Sequence, residues 1–256
     1  MADVQTPERI LDLSDRVAIV TGASSGLGER FVRVLLAAGA SVVAVARRAD
    51  RLAALAEEDD RVLAVTADVA VPDQVDRIVP AALERFGRVD VLVNNAGLGK
   101  PAPAVTEDLT DFRYTLEVNL VGAFHLARRA AAPMLEVGSG SIVNVSSILG
   151  LVAAWPIPDA SYSSSKAALV GLTRDLACQW AGKGVRVNAL APGFFPSEGT
   201  VEMTDEASAR YLKTGCPMRR MGRPEELDGA LLFLASGASS YMTGQVLTVD
   251  GGWTAH

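Results

Sequence analysis

Thr21-Gly22-Ala23-Ser24-Ser25-Gly26-Leu27-Gly28 is the stretch on which the reading of this chain turns. It follows a short apolar run, Val17–Val20, and opens a helical pattern, 26–38, that sets Leu27, Phe31, Val34 and Leu35 on one face. Glycines between a first strand and a first helix permit a tight turn and let the backbone approach a pyrophosphate. The helix start then offers free N–H groups and the positive end of its dipole. A plain strand-to-helix connection would use some of the same glycines, so the surrounding pattern must decide.

That pattern is an alternation. Strand-like runs at 41–46, 62–66, 89–93, 141–145, 185–190 and 246–249 are separated by helical stretches at 50–57, 72–86, 109–135, 160–181 and 224–235. Apolar runs without period-two alternation, each followed by a helix, predict a parallel sheet covered on both faces. Residues 192–223 are rich in Gly, Pro and charge and weak in periodicity, which predicts a long loop of the lid or binding kind. No linker or repeat divides the 256 residues, so the expectation is an α/β fold with seven strands in a single domain, 1–256, with 194–223 as its lid.

Composition removes several functions. The net charge is −6 and no basic block exists, which argues against nucleic acid or an anionic membrane as partner. No apolar run approaches the roughly 18 residues of a membrane span. The N-terminal 15 residues are polar and do not read as a signal peptide. Cys178 and Cys216 have no metal-ligand spacing and suit a reducing cytoplasm. The only histidines are His125 and His256, so a His-cluster metal site is excluded and a histidine triad nearly so.

Proton transfer must then come from elsewhere. Tyrosine is a poor base unaided, and a nearby cation stabilises its phenolate. Tyr162 and Lys166 are four apart on a predicted helix and share a face. The other tyrosines have Val118, Gly215 and Gln245 at that distance, so the pairing occurs once.

These motifs together resemble the short-chain dehydrogenases/reductases. The glycine turn has the spacing T-G-x-x-x-G-x-G. Asn94-Asn95-Ala96-Gly97 follows the fourth strand, Asn119 lies in a long helix, and Ser146-Ser147 end the fifth strand. Tyr162-Ser163-Ser164-Ser165-Lys166, Pro192-Gly193 and Asp250-Gly251-Gly252 follow in order, so the resemblance covers nearly the whole chain. It implies a Rossmann-like doubly wound sheet of order 3-2-1-4-5-6-7. Tyr162 would be the acid/base and Lys166 would lower its pKa and hold the nicotinamide ribose. Ser147 would bind the substrate oxygen and Asn119 would anchor a water relay. Gly22, Ser24, Ser25, Leu27, Gly28, Asp68, Val69, Asn95, Ala96 and Gly97 would contact the cofactor. So would Pro192, Gly193, Phe195 and Ser197, the last standing where the family usually has threonine. Ser147 and Tyr162 are 15 apart, longer than the usual family spacing, with the extra residues around Trp155 beside the substrate. Family members pair their long helices, which implies a homotetramer.

The cofactor should be read at the end of the second strand. An acidic residue there would bind the adenosine 2′-hydroxyl and repel a 2′-phosphate. This chain has Ala46 followed by Arg47 and Arg48, which favours NADP over NAD because arginine binds phosphate bidentately. Ser25, where many NADP users carry a base, points the other way. The expected reaction interconverts a ketone and a secondary alcohol on a keto-sugar acid or polyol. The 192–200 and 250–255 stretches look similar to gluconate and deoxygluconate dehydrogenases and to 3-oxoacyl reductases. The alternatives are a 3-oxoacyl thioester or apolar ketone, and a non-catalytic NADP(H) sensor that would have no need of the Tyr/Lys pair.

Overall fold

The computed structural model describes residue 4, residues 6–196 and residues 206–255. Seven strands form one parallel sheet: β1 (Val17–Thr21), β2 (Ser41–Ala46), β3 (Val62–Thr66), β4 (Val91–Asn94), β5 (Gly140–Val145), β6 (Val185–Pro192) and β7 (Val246–Val249). Their order is β3-β2-β1-β4-β5-β6-β7, the one expected. Every neighbouring pair is parallel. The chain reverses its winding between β1 and β4, and the crevice of such a sheet opens at the C-terminal strand ends there.

Helices cover both faces. They are α1 (Pro7–Leu11), α2 (Gly26–Ala37), α3 (Ala49–Glu58), α4 (Pro72–Val75), α5 (Ile78–Phe86), α6 (Leu109–Leu116), α7 (Gly122–Val137), α8 (Ala160–Trp180), α9 (Glu206–Gly215) and α10 (Asp228–Ala235). Phe31 and Leu35 of α2, Leu52 of α3 and Leu231 and Leu234 of α10 build the core on one face. Ile78 of α5, Leu126 and Met134 of α7 and Leu176 of α8 build the other. Each such side chain, fully buried, contributes about 1.5–3 kcal/mol.

Beyond shifts at element ends, such as β4 starting at Val91 and the 3₁₀ turn Pro224–Leu227 that precedes α10, the sequence expectations differ from the structure in three places. The 72–86 helix is two, because the turn at Arg77 breaks the run between α4 and α5. The 109–135 helix contains a π turn, Glu117–Val121, and runs on to Val137 through Pro133. The 192–223 stretch is not only loop: α9 lies in it, an amphipathic helix whose polar face masks its period. No helix among the described residues is long and apolar enough to cross a membrane.

At the opposite end from the crevice, Asp90 ties β1 to β4. Its Oδ2 accepts the Val17 N–H at 2.9 Å, and both oxygens receive the Arg88 fork at 2.7 Å. Arg16 adds a 2.9 Å bond. Burial alone would raise the Asp90 carboxyl, but these bonds, the Arg88 fork foremost, hold it below the usual carboxylate range. Its contribution is therefore present above the unfolded carboxylate range and is lost as pH falls through the folded value. Asp90→Asn is expected to cost about 1–3 kcal/mol at neutral pH, since both arginines are partly exposed. Denaturant melts should show the gap closing under acid, with turnover per folded molecule unchanged.

Candidate active site

The glycine turn joins β1 to α2 under tight constraint. Gly22 has φ +68, and a Cβ on Gly28 would stand 2.1 Å from the Gly22 carbonyl oxygen. Only glycine lets the helix start this close to the strand end. Thr21 locks the turn to β4: its Oγ1 accepts the N–H of Asn95 at 3.0 Å and of Ala96 at 2.9 Å. Asn95 Nδ2 donates back to the Thr21 carbonyl at 2.9 Å. Ser25, the N-cap of α2, makes no side-chain cap bond, so the first-turn amides remain available to an anion.

A cleft of about 860 Å³ runs along the C-terminal strand ends. It is lined by Gly22, Ser24, Ser25, Leu27, Gly28, Arg47, Asp68, Val69, Asn95, Ala96 and Gly97, then by Ser147, Tyr162, Lys166, Pro192, Gly193 and Phe195. These are all the expected cleft residues that the structure describes; Ser197 lies outside the described residues. Asn119 lies beneath the cleft wall, 1% exposed.

The catalytic candidates converge at the end of β5. Lys166 is buried, and its Nζ donates to the Val145 carbonyl at 2.8 Å. The same Nζ lies 5.6 Å from the Tyr162 ring centre. Ser147 caps the short turn 148–150 by accepting the Leu149 N–H at 3.1 Å, and its hydroxyl hydrogen-bonds that of Tyr162. Ser146 turns the other way, to the Lys166 carbonyl at 2.9 Å, in a structural role. Asn119 sits in the π turn. Its Oδ1 accepts the Leu98 N–H at 2.9 Å, and its Nδ2 donates to the Leu98 carbonyl at 2.8 Å and to Ser165 Oγ at 2.9 Å. Both donors of its amide are thereby committed to holding the strand-end loop.

Burial dominates the electrostatics of the pair. Burial raises the Tyr162 hydroxyl above the ordinary tyrosine range, and the Ser147 hydrogen bond offsets only part of this. Burial also pushes Lys166 down to about 8. Burial makes either charged form costly alone, so the phenolate and the ammonium are favoured together. A Cβ on Gly97 would approach Lys166 Nζ at 3.1 Å and Asn119 Oδ1 at 3.4 Å. Glycine thus keeps open the space above Lys166.

Two residues gain weight from the structure. Arg48, rather than Arg47, reaches the glycine turn: its Nε donates to Ser24 Oγ at 3.1 Å and its Nη2 to the Ser24 carbonyl at 3.3 Å. Arg47 lines the cleft but faces Tyr114 Oη at 3.3 Å and Asp68 at 4.0 Å. Asp159, the N-cap of α8, also lines the cleft. Its position just before Tyr162 was the one available signal. His125 lies outside the cleft lining, with Nε2 2.9 Å from Asp76.

Comparison with known proteins agrees with this geometry. The family model described as enoyl-(acyl carrier protein) reductase matches residues 22–254. A cis-4-hydroxycyclohexanecarboxylate dehydrogenase of Sinomonas cyclohexanicum is 42% identical, over 94% of this chain and 98% of that one. A galactitol 2-dehydrogenase (L-tagatose-forming) of Cereibacter sphaeroides is 39% identical, over 96% and 97%. The crystal structure of a gluconate 5-dehydrogenase from Burkholderia cenocepacia, in complex with NADP and tartrate, superposes with a TM-score of 0.94. It is 34% identical and covers 98% of this chain and 100% of that one. With the strand order, the glycine turn and the Tyr/Lys helix already in place, this chain belongs to the short-chain dehydrogenase/reductase family of NAD(P)-dependent oxidoreductases.

Proposed function

We propose that the protein interconverts a ketone and a secondary alcohol with NADP(H) preferred over NAD(H), on a substrate of the polyol or sugar-acid kind. The observation that carries this is the convergence of Ser147, Tyr162 and Lys166 at one wall of a cleft that begins at the glycine turn. The nicotinamide, when bound, supplies or accepts the hydride. Tyr162 Oη holds the proton that moves to or from the substrate oxygen. Ser147 Oγ orients that oxygen through the bond it already shares with Tyr162. Lys166, ammonium beside the ring, favours the phenolate when Tyr162 gives up its proton, and its remaining donors suit a ribose. Asn119 positions the Leu98 backbone, and the expected water relay is subordinate to that role. Ser197 is kept as a further cofactor contact.

Arg48 at Ser24 supports the preference for a 2′-phosphate, with Ala46 in place of an acid. Residues 194–223 act as the substrate lid of one catalytic unit, 1–256. In support, the Tyr211 hydroxyl of α9 donates to the Trp155 carbonyl. Exposed Leu109, Tyr114, Val121 and Phe124 on the α6–α7 stretch support a homotetramer with these helices paired. The free cysteines support a reducing, cytoplasmic setting. A nucleotide sensor would leave the Ser147, Tyr162 and Lys166 cluster without purpose.

Tyr162→Phe is expected to lower kcat by about 10²–10⁴ while NADPH binding, followed by fluorescence, stays within a few-fold. Activity near wild type in that variant would sink the assignment. Arg48→Ala should reduce kcat/KM with NADP by about 10–100-fold and leave NAD nearly unchanged. Arg47→Ala should do less, and equal losses with both cofactors would contradict the 2′-phosphate role.

A further inference from the structure

We propose that Asp159 is a specificity residue, whose Oδ2 receives a hydroxyl or N–H group of an uncharged substrate and turns away substrates bearing a carboxylate there. The inference rests on the hydride-transfer reading above and narrows its substrate class to neutral polyols, hydroxyketones and their amide relatives.

Asp159 is 8% exposed, and what remains accessible lines the cleft. Its Oδ1 is engaged, accepting the Tyr162 N–H at 3.2 Å and the Ser161 hydroxyl at 3.4 Å. Its Oδ2 has no hydrogen-bond partner among the described residues. A Cβ placed on Gly99 would stand 2.7 Å from this Oδ2 and 3.2 Å from Tyr162 Cδ2. The open acceptor and the ring of the acid/base tyrosine therefore border the same small space, and Gly99 keeps it clear. An acceptor that the fold leaves unpaired and accessible at the cleft wall is open to a donor from the ligand.

The charge balance makes that donor a neutral group. The basic side chains lining the cleft among the described residues are Arg47, Arg48 and Lys166. The two arginines follow β2, three strands from β5, which is about 14 Å across the sheet. Lys166 Nζ is held by Val145 and faces the Tyr162 ring. Lys100, beside Gly99 in the chain, is ion-paired to Asp111 and does not line the cleft. The positive end of α8 is met by Asp159 itself. Burial foremost, with the Glu107 carboxylate adding negative potential, raises the Asp159 carboxyl above the usual carboxylate range, and Glu107 Oε1 is itself buried without a partner. Among the described cleft residues, a substrate carboxylate at this wall would meet two acids, and the cation on this side of the cleft, Lys166, is already held by Val145. The chain is in this respect set apart from what the name of its Sinomonas relative describes.

The test is steady-state oxidation by the whole protein with NADP, using pairs that differ in one group: cis-4-hydroxycyclohexanecarboxamide against the carboxylate, and galactitol against galactonate. The neutral member should lead in kcat/KM by at least about tenfold. Asp159→Asn keeps the helix cap and should shrink that lead at least about fivefold, by raising the anionic member and lowering the neutral one. A merely structural fault would lower both alike and leave the ratio in place. A carboxylate preferred by the wild type, or a ratio unmoved by Asp159→Asn, overturns the proposal. Absence of NADPH formation with every member of both pairs strikes instead at the hydride-transfer reading and removes this proposal with it.

Discussion

The site is organised around one buried contact, the bond from Lys166 Nζ to the Val145 carbonyl at the end of β5. An ammonium without solvent must be held by acceptors, and its position then constrains what surrounds it. The turn after Val145 presses on the same helix. Ser146 bonds the Lys166 carbonyl, and a Cβ on Gly150 would stand 2.7 Å from the Lys166 carbonyl carbon. Strand end, turn and α8 are consequently one rigid piece. Ser147 leaves from that turn and Tyr162 lies one helical turn before Lys166, so their meeting follows from the docking. Asn119 secures the other side by holding Leu98 against α8 through Ser165.

Charge divides the cleft. The end by β1 and β2 carries Arg47 and Arg48 and the open amides of α2, all favourable to phosphate. The middle holds a lysine whose charge is strained by burial. The far end carries Asp159 with aromatic and aliphatic neighbours, Trp155, Ile157 and Tyr211 among them. One parallel sheet produces this division, because each strand end contributes one loop and the loops line up in strand order.

The sheet was legible because its central strands are buried runs without alternation, as in Val42–Ala46, five successive buried residues, while the edge strands β3 and β7 are only partly buried. Tyr162 and Lys166 were legible because helical spacing alone puts them on one face. What escaped depends on tertiary contact. Arg47 and Arg48 are adjacent and alike in sequence, and only the path of the chain into α3 sends Arg48 to Ser24 and Arg47 to Tyr114. The rise of Tyr162 above the ordinary range follows from how its neighbours in the fold desolvate it, which no spacing encodes. The sequence does not single out Asp159; the structure makes it the cap of α8, and its second oxygen gains meaning only from the space left by Gly99. The α9 helix was hidden in a stretch that is polar on average.

The claim that a dry, charged lysine anchors the site is tested most directly by comparing the pH dependence of unfolding in wild type and Lys166→Met. Lys166 sits near 8 when folded and near its ordinary value of 10.5 when unfolded. Below pH 8 the folded state carries the buried charge; between these values the unfolded chain binds the extra proton, so stability rises with pH. Urea titrations should show wild type gaining roughly 3 kcal/mol on the variant between pH 8 and 10.5. A difference that stays flat over that range, or falls, would mean that Lys166 is solvated or otherwise paired, and would contradict the account.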